Sequence, residues 1–447
     1  MKIGLLPFYI KLYDDCSPKF SQPARDFAKL IANELRKRGL DVFEAPTCRI
    51  EPEFADAVKQ IEDAGCCAIA TLHLAYSPSL ESIGPLSKTD LPIAVIDTTP
   101  DFEFSSSAQI MPNHGIHGVQ DFCNLLLRHH KPFLISAGHW EKSNCLDKAV
   151  KNLTIAGMAW QMSHMRVGKI GGDFKGMGDF TFPEGSMGLQ LVEYTPQPEP
   201  TAEAIAAEAA LDAERFVRSP ELTDESYIRT LRASLKLRSW LEAEQLKAFT
   251  VCFCGITRAA GWETVPFLEC SKAIARGIGY AGEGDALTAA MTYCLAQVFP
   301  ETSFMEMFCP DWSRGRIFTS HMGEINIDLC GAKPLLAERP YTFSDTGQPA
   351  IATGCFKDGN AVLTDLAPGP DGSYTLITAP VTWLPQHGPS GTSNAGWFTP
   401  QCGSIADFLA AYSEVGGTHH LATSYGATTD ILKGWAKLMK WNYVELS

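Results

Sequence analysis

Gly277-Ile278-Gly279-Tyr280-Ala281-Gly282-Glu283-Gly284-Asp285 opens the stretch on which the reading of this chain turns. Behind it, Leu287, Met291, Cys294, Leu295 and Val298 fall on one stripe at helical spacing. Asp285 is then a helix N-cap. Glu283 lies in the turn entering that helix, between two glycines that let the backbone bend tightly. Upstream, Ala248 to Cys254 (AFTVCFC) reads as a strand and Phe267 to Arg276 as a helix. The nonapeptide also matches GxGxxG. The dinucleotide fingerprint needs a strand directly before it, and a helix precedes it here, so the nucleotide reading carries little weight.

Downstream, Ser303 to Phe308 (SFMEMF) flanks one carboxylate, Glu306, with apolar residues, in the manner of a buried strand. A buried carboxylate requires a partner or a metal, because desolvating its charge is costly. His321, in Thr319-Ser320-His321-Met322, has a similar strand-like setting, and Gly416-Gly417-Thr418-His419-His420 brings two more imidazoles. A lone histidine in a strand is more often a core residue. Two carboxylates and two imidazoles together suit a divalent cation of mixed oxygen and nitrogen preference, such as Mn²⁺.

Toward the N-terminus, strands and helices alternate. Lys2–Tyr9, Leu40–Phe43, Ala68–Leu74, Pro92–Asp97 and Pro132–Ala137 read as strands, with helices near 21–38, 54–64 and 119–129 between them. That alternation predicts a parallel sheet with helices on both faces. A second α/β unit starts near Arg166 and carries long helices at 201–216 and 225–246. From about Pro310, short strands separated by Asp-Gly and Pro-Asp-Gly turns predict an antiparallel, barrel-like domain. The expected organisation is therefore an N-terminal Rossmann-like domain (1–165), a central α/β domain (166–310) carrying Glu283 and Glu306, and a β-rich domain (311–447) carrying His321 and His420.

The chain has 447 residues, 20% of them charged, and a net charge of −14. An acidic balance disfavours nucleic acid or an anionic membrane as partner and is compatible with a neutral polar substrate. No segment has the length of a membrane span, and the first residues read as a strand rather than a leader. The 14 cysteines include no CxxC pair and mostly lie in apolar runs; they are expected to be reduced thiols in a cytoplasmic protein.

The segments AGEGD before an Ala-rich helix, TSFME, HMGE and GGTHH occur in the order and approximate spacing of the L-arabinose isomerases, and the chain resembles that family. The wider group includes the L-fucose isomerases, which share the fold. Lys11-Leu12-Tyr13 resembles the family's first loop. His73 in LHLAYSPS, His114-Gly115-Ile116-His117-Gly118 and Gly138-His139-Trp140 resemble further stretches. The resemblance implies a metal-dependent aldose–ketose isomerase with Glu283, Glu306, His321 and His420 as ligands of Mn²⁺, Co²⁺ or Mg²⁺, and the two glutamates as acid and base. His420 is preferred to His419 because the family's second histidine is the ligand. Neighbouring residues on a strand also face opposite ways. The resemblance further implies sugar contacts from Tyr13, His114, His117, Phe253 and His419, and a homo-oligomer, trimeric or hexameric, with sites between subunits. The family has a glutamine at the positions of Ile10 and His114, which bears on sugar specificity. Two other classes remain: an epimerase or lyase using the same metal set, and a non-catalytic sugar-binding protein.

Overall fold

The computed structural model describes residues 1–183, 185–385 and 396–447. The chain divides into two compact units, Met1–Gln161 with Lys433–Lys440, and Met162–Leu432 with Trp441–Ser447.

The first unit is built on a five-stranded sheet in the order Asp41–Glu44, Lys2–Phe8, Ile69–His73, Ile93–Asp97, Phe133–Ala137. All of its pairings are parallel. Strands buried on both faces need continuous apolar runs, and Ile69–His73 is buried at every position. Phe8, Phe54, Ile61, Val95 and Phe122 form its core with their neighbours. His73 belongs to that core: it is 2% exposed, packed against Phe8 and Phe122, with Nδ1 3.0 Å from Ser77 Oγ. Lys11–Cys16 is a short helix, and His114 is the N-cap of helix Gly115–Arg128. Gly115 and Gly118 are required there because a Cβ would overlap the His73 carbonyl and the Ser77 hydroxyl, so helical packing rather than loop freedom explains them.

The second unit holds a four-stranded parallel sheet in the order Gly279–Gly282, Ala248–Val251, Arg166–Ile170, Gln190–Glu193. Helix Phe267–Ala275 precedes Gly279–Gly282, as expected; of the GxGxxG glycines, Gly279 and Gly282 lie inside the strand and Gly277 in the turn that ends the helix. A Cβ on Gly279 would meet the Ala289 carbonyl at 2.1 Å, so this glycine lets strand and helix pack closely. The C-terminal half closes into an antiparallel barrel. Its strands run Gly359–Pro368, His420–Tyr425, Thr302–Asp311, Arg316–Thr319, Gly396–Pro400, Tyr374–Trp383 and back to the first. Asn442–Glu445 adds to it in parallel. Residue 310 lies inside Thr302–Asp311, so the strand of Glu306 is part of the barrel and pairs directly with that of His420.

Candidate metal centre

Glu283 leaves the carboxyl end of strand Gly279–Gly282, where sites in parallel sheets form. It is buried at 6% exposure and adopts φ +64°, an unusual left-handed conformation for a residue with a Cβ. The turn is pinned on several sides. The Glu283 N–H donates to the Val251 carbonyl at 2.8 Å, its carbonyl accepts from the Phe174 N–H at 3.0 Å, and the Gly284 N–H donates to Thr250 Oγ1 at 3.0 Å. Both flanking glycines are forced by close approach. A Cβ on Gly282 would lie 2.7 Å from the His321 ring, and one on Gly284 2.8 Å from the Gly172 carbonyl oxygen.

Glu306 and His420 face each other as cross-strand partners in the barrel. The strand of Glu306 is buried only in its first half: Glu306 lies where burial ends, and Phe308 is exposed. His321 is not in a strand, as its flanks suggested. Strand Arg316–Thr319 ends two residues earlier, and the Ser320 N–H donates to the Glu306 carbonyl, bringing the imidazole alongside. His321 Nε2 is 3.8 Å from Glu306 Oε2, and His420 Nε2 is 3.7 Å from Glu283 Oε2. The donors thus fall into two triads, Glu283–His419–His420 and Glu306–His321–His420, each spanning no more than 4.8 Å and sharing His420.

Side-chain alternation placed His419 and His420 on opposite faces. It does not apply, because His419 precedes strand His420–Tyr425. Their ring centroids are 4.1 Å apart, and His419 Nε2 is 3.5 Å from Glu283 Oε2.

Each imidazole is held by a carboxylate at its other nitrogen. Asp285 Oδ2 is 3.0 Å from His420 Nδ1, Glu324 Oε2 is 2.7 Å from His321 Nδ1, and Asp179 Oδ2 is 2.6 Å from His419 Nδ1. Asp285 is the helix cap that its position suggested, accepting from the Thr288 N–H, and it orients His420 as well. Glu324 in turn accepts from the Tyr280 hydroxyl at 2.7 Å. Such carboxylate–imidazole pairs fix the orientation of metal-binding histidines. Asp285, Glu324 and Asp179 were not assigned these roles from sequence. Glu324 carries the one available signal, standing three residues after His321 in HMGE. Phe180 stacks on His420 with rings 11° from parallel.

Electrostatics separate the two glutamates. Burial raises the Glu306 pKa. Burial also acts to raise that of Glu283, but the His419 hydrogen bond and the charge of His321 outweigh it and bring it below the usual carboxylate range. Burial, reinforced by His419 and His321, holds His420 well below the usual histidine value, leaving a neutral imidazole. Burial is overcome at His321 by Glu324, Glu306 and Glu283, and at His419 by Glu283 and Asp179, so both rise to about 9. The donors fit a divalent cation: His420 Nε2 is buried with no hydrogen-bond partner among the described residues, and it faces carboxylate oxygens. Protons on His321 and His419 supply the positive charge that a cation would bring, and binding one displaces protons.

The residues expected from resemblance to contact the sugar are drawn from both units. Phe253 is in the second unit, in a turn just past strand Ala248–Val251, and packs against Phe174, Tyr341 and Phe343. Tyr13, His114 and His117 form their own cluster in the first unit. Tyr13 Oη is 3.2 Å from His114 Nδ1, and His114 Nε2 is 2.9 Å from His117 Nδ1. Ile10 is buried at the start of the same helix as Tyr13.

The central-domain family model of L-arabinose isomerase matches residues 204–299, and the C-terminal-domain model matches 301–442. Together they span more than half of the chain and contain all four expected ligands. The chain belongs to the L-arabinose isomerase family. The L-arabinose isomerase of Shewanella sp. (strain MR-4) is 26% identical, with 91% of this chain and 86% of that protein aligned. L-arabinose isomerase 1 of Bacillus licheniformis is 24% identical over 93% of this chain and 88% of its own length. Family membership makes the chain a sugar isomerase, an intramolecular oxidoreductase. No helix among the described residues is long and apolar enough to cross a membrane.

Proposed function

We propose that this member of the family is a metal-dependent aldose–ketose isomerase that moves a proton between C1 and C2 of a free monosaccharide through a cis-enediol. The observation carrying this reading is the convergence of Glu283 and Glu306 with His321 and His420, both imidazoles aimed by carboxylates. A bound Mn²⁺, or Co²⁺ or Mg²⁺ in its place, would be held by these four side chains and would polarise the adjacent carbonyl and hydroxyl oxygens of the sugar.

The protein's own groups divide the remaining work. Glu306, with its raised pKa, takes the carbon-bound proton and returns it to the neighbouring carbon. Glu283 stays ionised, and the opposed shifts of the two glutamates separate their roles. His419, backed by Asp179, holds a sugar hydroxyl. Phe253, with Phe174 and Phe343, walls the sugar from water. Tyr13, His114 and His117 reach the sugar in the site of a neighbouring subunit, in a trimeric or hexameric assembly. Ile10 and His114 stand where the family has glutamine, so the sugar bound need not be L-arabinose.

The test is proton exchange in D₂O, followed by NMR, with aldoses and ketoses including pentoses and 6-deoxyhexoses, with and without Mn²⁺. The expected result is Mn²⁺-dependent deuterium at C1 or C2 together with the partner sugar. In Glu306→Gln the rate should fall by about 10²–10⁴-fold, the usual contribution of a positioned acid–base group. Exchange without ketose formation points to an epimerase. A wild-type protein that neither binds Mn²⁺ nor exchanges sinks the isomerase reading.

A further inference from the structure

The turn carrying His419 and His420 is held from behind by a residue outside the ligand set. Asp365, in strand Gly359–Pro368, is 1% exposed. Its Oδ2 accepts from the Thr418 N–H at 2.8 Å and from the Tyr412 hydroxyl at 2.8 Å, and its Oδ1 lies 2.9 Å from Thr418 Oγ1. Tyr412 Oη is also 2.6 Å from the Thr418 carbonyl, and Thr418 Oγ1 is 2.8 Å from that of His420. Thr418 therefore has its N–H, carbonyl and hydroxyl all engaged. The Tyr412 ring lies so close to Gly417 that a Cβ there would approach it to 2.3 Å. Beyond Thr418, the His419 N–H donates to Asp179 at 3.0 Å, and His420 enters the ladder opposite Glu306.

We propose that Asp365 is a positioning residue of the metal centre. Acting through Thr418 and Tyr412, it sets the main chain so that His419 and His420 both turn toward Glu283. The physical reason is leverage. His419 lies outside the regular ladder, so strand pairing alone does not orient it, and a small rotation at Thr418 displaces both imidazoles. Buried polar groups whose hydrogen bonds are all made hold one geometry, and partners that orient metal ligands typically account for 10–100-fold in metal affinity. A carboxylate that served only the barrel would leave the metal unaffected once the protein is folded.

The inference rests on the metal-dependent reading above, and the test separates the two. Mn²⁺ affinity is measured by titration calorimetry, and the visible spectrum of the Co²⁺-saturated protein reports ligand geometry independently of affinity. In Asp365→Ala, Mn²⁺ should bind about 10–100-fold more weakly, with a changed Co²⁺ spectrum at saturation and an intact circular dichroism spectrum. Asp365→Asn keeps an acceptor for the Thr418 N–H and should restore most of both. If Asp365→Ala fails to fold, Thr418→Val against Thr418→Ser decides: the valine should weaken Mn²⁺ binding and alter the spectrum, and the serine should restore them. A folded Asp365→Ala, or a Thr418→Val, that matches the wild type in both readouts overturns the positioning role alone. A wild-type protein that binds no Mn²⁺ overturns it together with the metal reading.

Discussion

At the scale of single residues, Gly282 and His73 carry the sharpest consequences. Gly282 was legible as a turn-maker, but what demands it is the His321 ring in the space a methyl group would need. Gly282→Ala should push His321 away and weaken Mn²⁺ binding at least about tenfold, by analogy with loss of an orienting partner; calorimetry checks this. His73 shows the opposite outcome: a histidine in a stretch resembling the family is a neutral core residue, its pKa brought down to about 3 by burial. Unfolded, it titrates near 6.5, so between pH 6.5 and 3 the unfolded chain binds the extra proton. Its contribution to stability is complete above pH 6.5 and is lost as pH falls toward 3. His73→Gln should therefore flatten the dependence of unfolding free energy on pH between 4 and 6 by about 1.4 kcal/mol per unit, as measured by denaturant titrations at each pH.

At the scale of elements, the helices of the second unit are joined by buried charges. Arg238 in helix Asp224–Ala243 forks onto Glu208 of helix Ala202–Arg215 and Glu269 of helix Phe267–Ala275, at 2.7 Å to each. Lys272, 1% exposed, pairs with Glu208 and Asp212. From sequence, the charge along helix 225–246 reads as a solvated face. Arg238 shows that part of it is turned inward, which pattern alone cannot distinguish because its acidic partners lie about thirty residues away on other helices. Arg238→Met leaves two buried carboxylates short of a partner and should cost about 3–5 kcal/mol, read as a lowered urea midpoint with unchanged slope.

At the scale of the whole molecule, the candidate metal centre draws on the parallel sheet for Glu283 and on the barrel for Glu306, His321 and His420. A cation bound there binds the folded state only, so it should stabilise the second unit by about 2.7 kcal/mol when Mn²⁺ is at a hundred times its dissociation constant. Thermal unfolding with Mn²⁺ and with a chelator checks this. The expected result is a higher midpoint with Mn²⁺, and a smaller gain in Glu306→Gln.

The sequence by itself determined the fold class, because strand and helix periodicities are local and alternate plainly until the turns near residue 310. It also marked Glu283, Glu306, His321 and the Gly-Gly-Thr-His-His turn as candidates, since isolated carboxylates in Gly-rich and apolar settings are unusual composition, while the choice of a four-ligand set came from the resemblance. Only the tertiary structure decided that His419 joins His420 beside Glu283, that His321 lies beyond its strand, and that Asp285, Glu324 and Asp179 aim the imidazoles. Asp285 meets His420 from 135 positions away and Asp179 meets His419 from 240. Contacts closed over such separations depend on how strands pair across the barrel and the sheet, and no periodicity within a segment records that pairing.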